Sequence, residues 1–173
     1  MSRGLLYVIV CAAGAAGQVG RLVGLAQASG WTVQVIATPP ALNFIDAAAL
    51  ERQTGRPVRS RYRSPDAPRP PRADAIVVAP ATYNTINKFA QGIADTYALS
   101  LLAEAPGLGI PVVVLPFVST ALAARPVFRR SVTDLRAEGV QVLLGSGEFE
   151  PHEPGAGGSA VDGYPWHLAL RSL

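Results

Sequence analysis

The sequence predicts a three-layer α/β fold, Rossmann-like, in which a parallel sheet lies between helices on both faces. Three observations carry that prediction. Five apolar, β-branched runs have strand length, stretches of helical periodicity separate them, and the first three runs end in small or polar turns. Continuous apolar runs, rather than alternating ones, are what strands buried on both faces require.

The strands expected are Leu5–Val10, Thr32–Ala37, Ala75–Ala79, Pro111–Leu115 and Val140–Leu143. The first lies close to the N-terminus and superficially resembles a signal peptide. It is short, however, and leads straight into a glycine loop and a helix, so it reads as a strand. Helices are expected over Gln18–Ser29, Phe44–Thr54, Ile86–Ala105 and Ala121–Glu138. Gly30 and Gly139 follow the last periodic residues of two of them, where a left-handed cap is needed. Residues 1–145 form the expected domain. Residues 146–173 form a Gly- and Pro-rich tail, expected to lack regular structure from Gly145 to Gly163, and its end, Tyr164-Pro165-Trp166-His167-Leu168, reads as docking back onto another surface, such as a neighbouring subunit.

Composition narrows the function classes. At 173 residues, with 49% hydrophobic and 16% charged residues, the chain suits one compact domain with a sizeable core. No apolar run is long enough to cross a membrane, and a cytoplasmic location is the default expectation. The single cysteine, Cys11, excludes an internal disulfide and most cysteine-based metal sites. A net charge of +3 does not by itself imply nucleic acid. Six arginines do gather between Arg56 and Arg72, among Pro65, Pro68, Pro70 and Pro71. This segment is either a solvated, proline-stiffened connection or a mobile basic lip for an acidic substrate. Only Tyr62 interleaves it with an aromatic ring, and helix-turn-helix and zinc spacings are lacking, so no nucleic-acid partner is expected.

The chemistry gathers where strands end. In a parallel sheet the carboxyl ends of the strands share one edge, and ligands bind there. The first turn, Cys11-Ala12-Ala13-Gly14-Ala15-Ala16-Gly17, has residues small enough for backbone amides to approach a phosphate, with a helix start behind them. Its spacing is not that of a dinucleotide fingerprint. Thr38, not an acid, ends the second strand, which favours a mononucleotide over NAD. The third strand ends in Ala79-Pro80-Ala81-Thr82-Tyr83-Asn84-Thr85, placing hydroxyls and an amide at the same edge. Asn84 or Thr85 could equally cap the helix that follows.

That third segment, continued by Lys88-Phe89-Ala90-Gln91-Gly92-Ile93-Ala94-Asp95, closely resembles the signature of the FMN-binding flavoproteins that include the cysteine decarboxylases and phosphopantothenoylcysteine decarboxylase. Their usual pattern is A-P-x-[ST]-A-N-T followed by K-x-A-x-G-x-A-D, and only Tyr83 departs from it. Thr38 and Phe44, six residues apart, resemble the family's second segment, and the resemblance extends over about the first 145 residues. It implies non-covalently bound FMN, with Ala12, Ala13, Gly14, Ala15 and Ala81 in the cofactor cradle. It further implies that Thr38 bonds the phosphate, that Phe44 lies near the flavin ring, that Thr82, Asn84 and Thr85 contact flavin or substrate, and that Asp95 supports the site. It also implies a trimer-based homo-oligomer acting on a small molecule or peptide. By residue type alone, Thr38 could cap a turn, Phe44 could be core, and Lys88 and Asp95 could be surface charges.

Three departures bear on activity. Decarboxylases of this family carry a histidine shortly before the third strand, where this chain reads Asp66-Ala67-Pro68-Arg69-Pro70-Pro71-Arg72. Their P-x-M-N-x-x-M-W clamp is here Pro116-Phe117-Val118-Ser119-Thr120-Ala121-Leu122-Ala123, and the late cysteine of some members is missing. The resemblance thus implies a retained flavin cradle with the decarboxylation machinery dismantled or replaced. The expectation is a flavin-dependent enzyme with altered chemistry, the alternative being a non-catalytic FMN-binding or regulatory subunit. A flavin prenyltransferase, which shares the fold, fits less well, because its glutamate-arginine region and a prenyl-phosphate site are not recognisable.

Overall fold

In a computed structural model, which describes residues 3–173, the strands form a single five-stranded parallel sheet. They are β1 (Gly4–Val10), β2 (Trp31–Ala37), β3 (Ala75–Ala81), β4 (Val112–Pro116) and β5 (Gln141–Val142), in the order β2-β1-β3-β4-β5. β1 pairs with β2 from Gly4 opposite Trp31 to Val10 opposite Ala37, and with β3 from Leu6 opposite Ala75. Every residue of β3 is buried, as a central parallel strand covered on both faces should be. The expected α/β sandwich is the fold observed. Among the described residues no helix is long and apolar enough to cross a membrane.

The helices are α1 (Gly20–Ala28), α2 (Ala47–Thr54), α3 (Tyr83–Ala90), α4 (Tyr97–Glu104), α5 (Thr120–Ala123), α6 (Pro126–Ala137) and α7 (Gly157–Ala160). Gly30 and Gly139 take the positive φ expected of them, 89° and 87°. Two expected helices are each broken in two. The Ile86–Ala105 stretch ends its first helix at Ala90 and turns through Gly92 at φ 72°. It restarts after Thr96, whose hydroxyl accepts the Leu99 amide at 3.2 Å. The Ala121–Glu138 stretch breaks at Arg125, which the following Pro126 holds in an extended conformation. The helix expected from Phe44 begins only at Ala47, because Asp46 caps it through a 2.9 Å bond from the Ala49 amide.

The C-terminal segment packs on this chain's own core. Tyr164, Trp166, Leu168 and Ala169 are buried, and the Tyr164 hydroxyl donates to the Leu115 carbonyl at 2.6 Å. Phe117, just past β4, gathers this segment: its ring centre lies 5.0 Å from His152 and 5.5 Å from Tyr164. The arginine-rich segment is likewise pinned. Arg59 pairs with Ile36 at the free edge of β2, the Tyr7 hydroxyl donates to Pro71 O at 2.6 Å, and Arg72 donates to Leu108 O at 2.5 Å.

Candidate functional site

The turns after β1, β2 and β3 meet around a cavity of about 310 Å³. Ala12 comes from the first turn, Thr38 and Pro40 from the second, and Thr82, Asn84 and Thr85 from the third. The far wall is Lys88 on α3 with Thr96 and Leu99 at the start of α4. The convergence follows from topology. β1 lies between β2 and β3, so three neighbouring strands deliver their turns to one place.

Local bonding decides which polar groups are free to meet a ligand. Thr82 is the cap of α3: its hydroxyl accepts the Thr85 amide at 3.2 Å and lies 3.0 Å from the Thr85 hydroxyl. The Cys11 thiol donates to Thr85 Oγ1 at 3.4 Å, and burial pushes that thiol's pKa up, against the opposing pull of the Thr85 and Thr82 groups. Asn84, by contrast, is exposed at the cavity and its amide makes no hydrogen bond among the described residues. Thr38 starts the 3-10 turn Pro39–Asn43 without its side chain capping it. Its hydroxyl is therefore uncommitted although the residue is only 8% exposed. The backbone amides of Ala12 and Gly14 also donate to no group among the described residues. A donor pair of that kind in a turn suits an anion.

The remaining expected site residues lie as follows. Ala13, Gly14 and Ala15 stay in the first turn without lining the cavity. A side chain at Gly14 would meet the Phe117 ring at 3.3 Å, so close packing alone accounts for glycine there. Ala81 is buried within β3. Phe44 ends the 3-10 turn, 51% exposed and outside the cavity lining. Asp95 does not line it either, but forms a 2.5 Å ion pair with Lys88, which does. Pro40, Lys88, Thr96 and Leu99 are cavity residues that the sequence reading does not place in the site. The Asp95-Thr96 step before an apolar run is a helix-start signal that could have placed Thr96 there. A larger, shallow groove of about 600 Å³ runs past Gly24, Leu25 and Trp166, and it collects none of the expected site residues.

The arrangement can hold a polar-edged ligand with an anionic end: short hydroxyl and amide side chains come from the turns after β2 and β3, the free Ala12 amide from the first turn, and Lys88, paired with Asp95, from the far wall. It holds no metal cluster, since no group of three His, Cys, Asp or Glu side chains is assembled among the described residues.

The chain is 34% identical over 132 residues to the coenzyme A biosynthesis bifunctional protein CoaBC of Mycobacterium tuberculosis, a match covering 72% of this chain and 31% of that protein. It thus spans about a third of the length of the CoaBC relatives it matches. It is 28% identical over 121 residues to a probable phosphopantothenoylcysteine decarboxylase of Streptococcus mutans, covering 66% of this chain and 67% of that one. Among solved structures it superimposes on the FMN-dependent cysteine decarboxylase TvaF of thioviridamide biosynthesis with a TM-score of 0.71 at 28% identity. That match covers 82% of this chain and 90% of TvaF. The FMN binding protein AtHal3 matches in fold, with a TM-score of 0.71 at 19% identity over 99% of this chain and 98% of that one. The pattern of the Flavoprotein family matches residues 2–160, and the chain belongs to that family.

Proposed function

We propose that the chain binds FMN non-covalently in the Thr38–Thr85 cavity and is a flavin-dependent enzyme acting on a small molecule or peptide, related to the cysteine decarboxylases. The observation that carries this reading is the meeting of Ala12, Thr38, Thr82, Asn84 and Thr85 around one cavity, as the family resemblance requires. The residues present suit the cofactor. Of the residues lining the cavity, Ala12 through its free amide and Thr38 through its hydroxyl would take the phosphate, and Asn84 with the Thr82–Thr85 turn would take the polar edge of flavin or substrate. A bound flavin supplies a two-electron acceptor. What the chain itself supplies is orientation: Thr82 fixes the turn by capping α3, and the Lys88–Asp95 pair fixes the far wall. At about 310 Å³ the cavity lies near the lower end for ligand sites, so we further propose that a second copy in a trimer-based homo-oligomer completes it.

A second reading, a non-catalytic FMN-binding or regulatory subunit, draws on a different observation. The decarboxylase histidine position is held by Asp66, which is exposed, while His152 packs beside Phe117 and does not line the cavity. The first test is the colour of the purified protein. FMN at about one per chain, identified by mass spectrometry of the released chromophore, is expected; FAD, NAD or nothing under gentle conditions overturns the site assignment. The second test separates the two readings, since an enzyme shows substrate-dependent bleaching of the flavin absorbance and a binding subunit does not.

A further inference from the structure

A second cavity, of about 260 Å³, lies towards the opposite, amino edge of the sheet. Its interior is apolar, built from Tyr7 of β1, Ile76 near the start of β3, Leu101 of α4, and Leu108 and Ile110 ahead of β4. Pro70, Pro71 and Arg72 form a further wall. Two bonds hold that wall in place, from the Tyr7 hydroxyl to Pro71 O at 2.6 Å and from Arg72 to Leu108 O at 2.5 Å. The prolines bring no amide donor, and burial raises the Tyr7 phenol's pKa, so the interior is uncharged.

An apolar cavity of about 150 Å³ is enough to take benzene, so this one has room for a side chain the size of leucine or phenylalanine. Its exposed lining residues, Arg72, Glu104 and Leu108, mark the open side. Leu108 is 48% exposed there, apolar surface that a bound side chain would cover. The other two carry opposite charges. The Leu108 amide donates to Glu104 O at 3.1 Å, so Glu104 stands one turn from the residue whose carbonyl Arg72 holds. The two charges nevertheless do not close on each other. Among the described residues the ion pairs are Lys88–Asp95 and Arg136–Glu148, and the Glu104 carboxylate accepts no hydrogen bond. A guanidinium has five N–H donors, so Arg72 keeps some beyond its bond to Leu108. An uncharged interior with one anion and one cation at its rim matches an apolar body that ends in a zwitterion.

We propose that this cavity binds a free apolar amino acid, with its side chain inward, its ammonium at Glu104 and its carboxylate at Arg72. A free amino acid carries both charges on one carbon, whereas a peptide end carries only one of them. The site is separate from the Thr38–Thr85 cavity and does not depend on flavin. The two share α4 as a wall: Leu99 lines the first, and Leu101 and Glu104 line the second. The test must therefore show which cavity a ligand enters.

Leucine, phenylalanine, glycine, leucinamide and N-acetylleucine are titrated by NMR into the full chain as purified, with Glu104→Gln and Arg72→Met beside the parent. Leucine and phenylalanine should saturate, shifting the amides of residues 72–76 and 101–110 and leaving those of Thr38 and Asn84 in place. Glycine, a head without a body, should bind at least about tenfold more weakly than leucine. Leucinamide and N-acetylleucine each lack one charge and should bind about three- to tenfold more weakly. Glu104→Gln should weaken leucine by a similar factor and leave N-acetylleucine unchanged. Arg72→Met should do the same to leucine and leave leucinamide unchanged. Both side chains are exposed, so the fold should tolerate these changes. Should Arg72→Met loosen the wall, Arg72→Lys, which keeps the charge, should restore leucine binding. The proposal is overturned if no amino acid saturates, if glycine equals leucine, if either charge proves indifferent, or if the shifts gather at Thr38 and Asn84.

Discussion

The Thr82 hydroxyl accepts the amide of Thr85 at 3.2 Å, closing the first turn of α3. This one bond assigns the capping role to Thr82 and leaves Asn84 without structural work at the cavity. Replacing Asn84 with Asp should therefore leave the fold unaffected. It should cost about 2–3 kcal/mol of FMN binding, or an affinity roughly thirty- to hundredfold weaker, through a lost polar contact and added repulsion. Fluorescence titration measures the affinity and thermal melting the stability. Unchanged affinity with a lowered melting temperature would return Asn84 to a purely structural role.

Thr82→Ala should lower stability as well. Loss of the cap costs about 1 kcal/mol of stability, because the Thr85 amide loses its acceptor next to a buried residue. Thr82→Ser keeps the oxygen and should restore most of it. Urea unfolding of the three proteins is the measurement. Equal midpoints for the parent and Thr82→Ala would show that the cap contributes nothing.

Burial also sets an alkaline limit on stability. The Tyr164 phenol is pushed well above its ordinary value of 10.0, first by burial and then by nearby Cys11, and burial raises Cys11 above 9.0. In both cases the folded state holds the proton more tightly than the unfolded chain. Their contribution is complete below the unfolded values and is lost as pH rises towards the folded ones. Urea midpoints should thus be flat up to about pH 8.5 and fall from there. Tyr164→Phe should flatten the upper part of that fall, while losing about 1 kcal/mol at neutral pH with the bond to Leu115. An unaltered alkaline slope in this variant would show that Tyr164 does not set it.

How far the sequence reveals this molecule depends on what each element needs. β1 and β3 are legible because a strand covered on both faces must be apolar throughout, and β-branched runs of that length have few other uses. Thr38, Thr82, Asn84 and Thr85 are legible because they follow such strands directly. The break between α3 and α4 is hidden because apolar residues continue at helical spacing through it, although Gly92 and the Asp95-Thr96 step are there to be read. Leu99 and Pro40 reach the cavity only through the placement of α4 and of a 3-10 turn, which periodicity does not determine. Arg59 is less legible still, since its pairing with Ile36 depends on the path of an irregular crossover.

The last prediction concerns the chemistry itself. A decarboxylase of the resembling kind needs a positioned acid or base near the flavin, worth about 10²–10⁴-fold in rate, and a clamp that holds the carboxylate. By the family resemblance the histidine position falls at Asp66, which is exposed on a proline-rich segment. By the same resemblance the clamp amide's place is taken by Ser119, whose hydroxyl accepts the Leu122 amide at 3.4 Å as the cap of α5. Neither residue is free and fixed at the Thr38–Thr85 cavity, whose lining includes neither. No appreciable CO₂ release is therefore expected from cysteine-terminated peptides or from phosphopantothenoylcysteine with the FMN-loaded protein. Release at a rate typical of the family, abolished by Asp66→Ala, would show that the aspartate has taken the histidine's role and that the ancestral reaction survives in this chain.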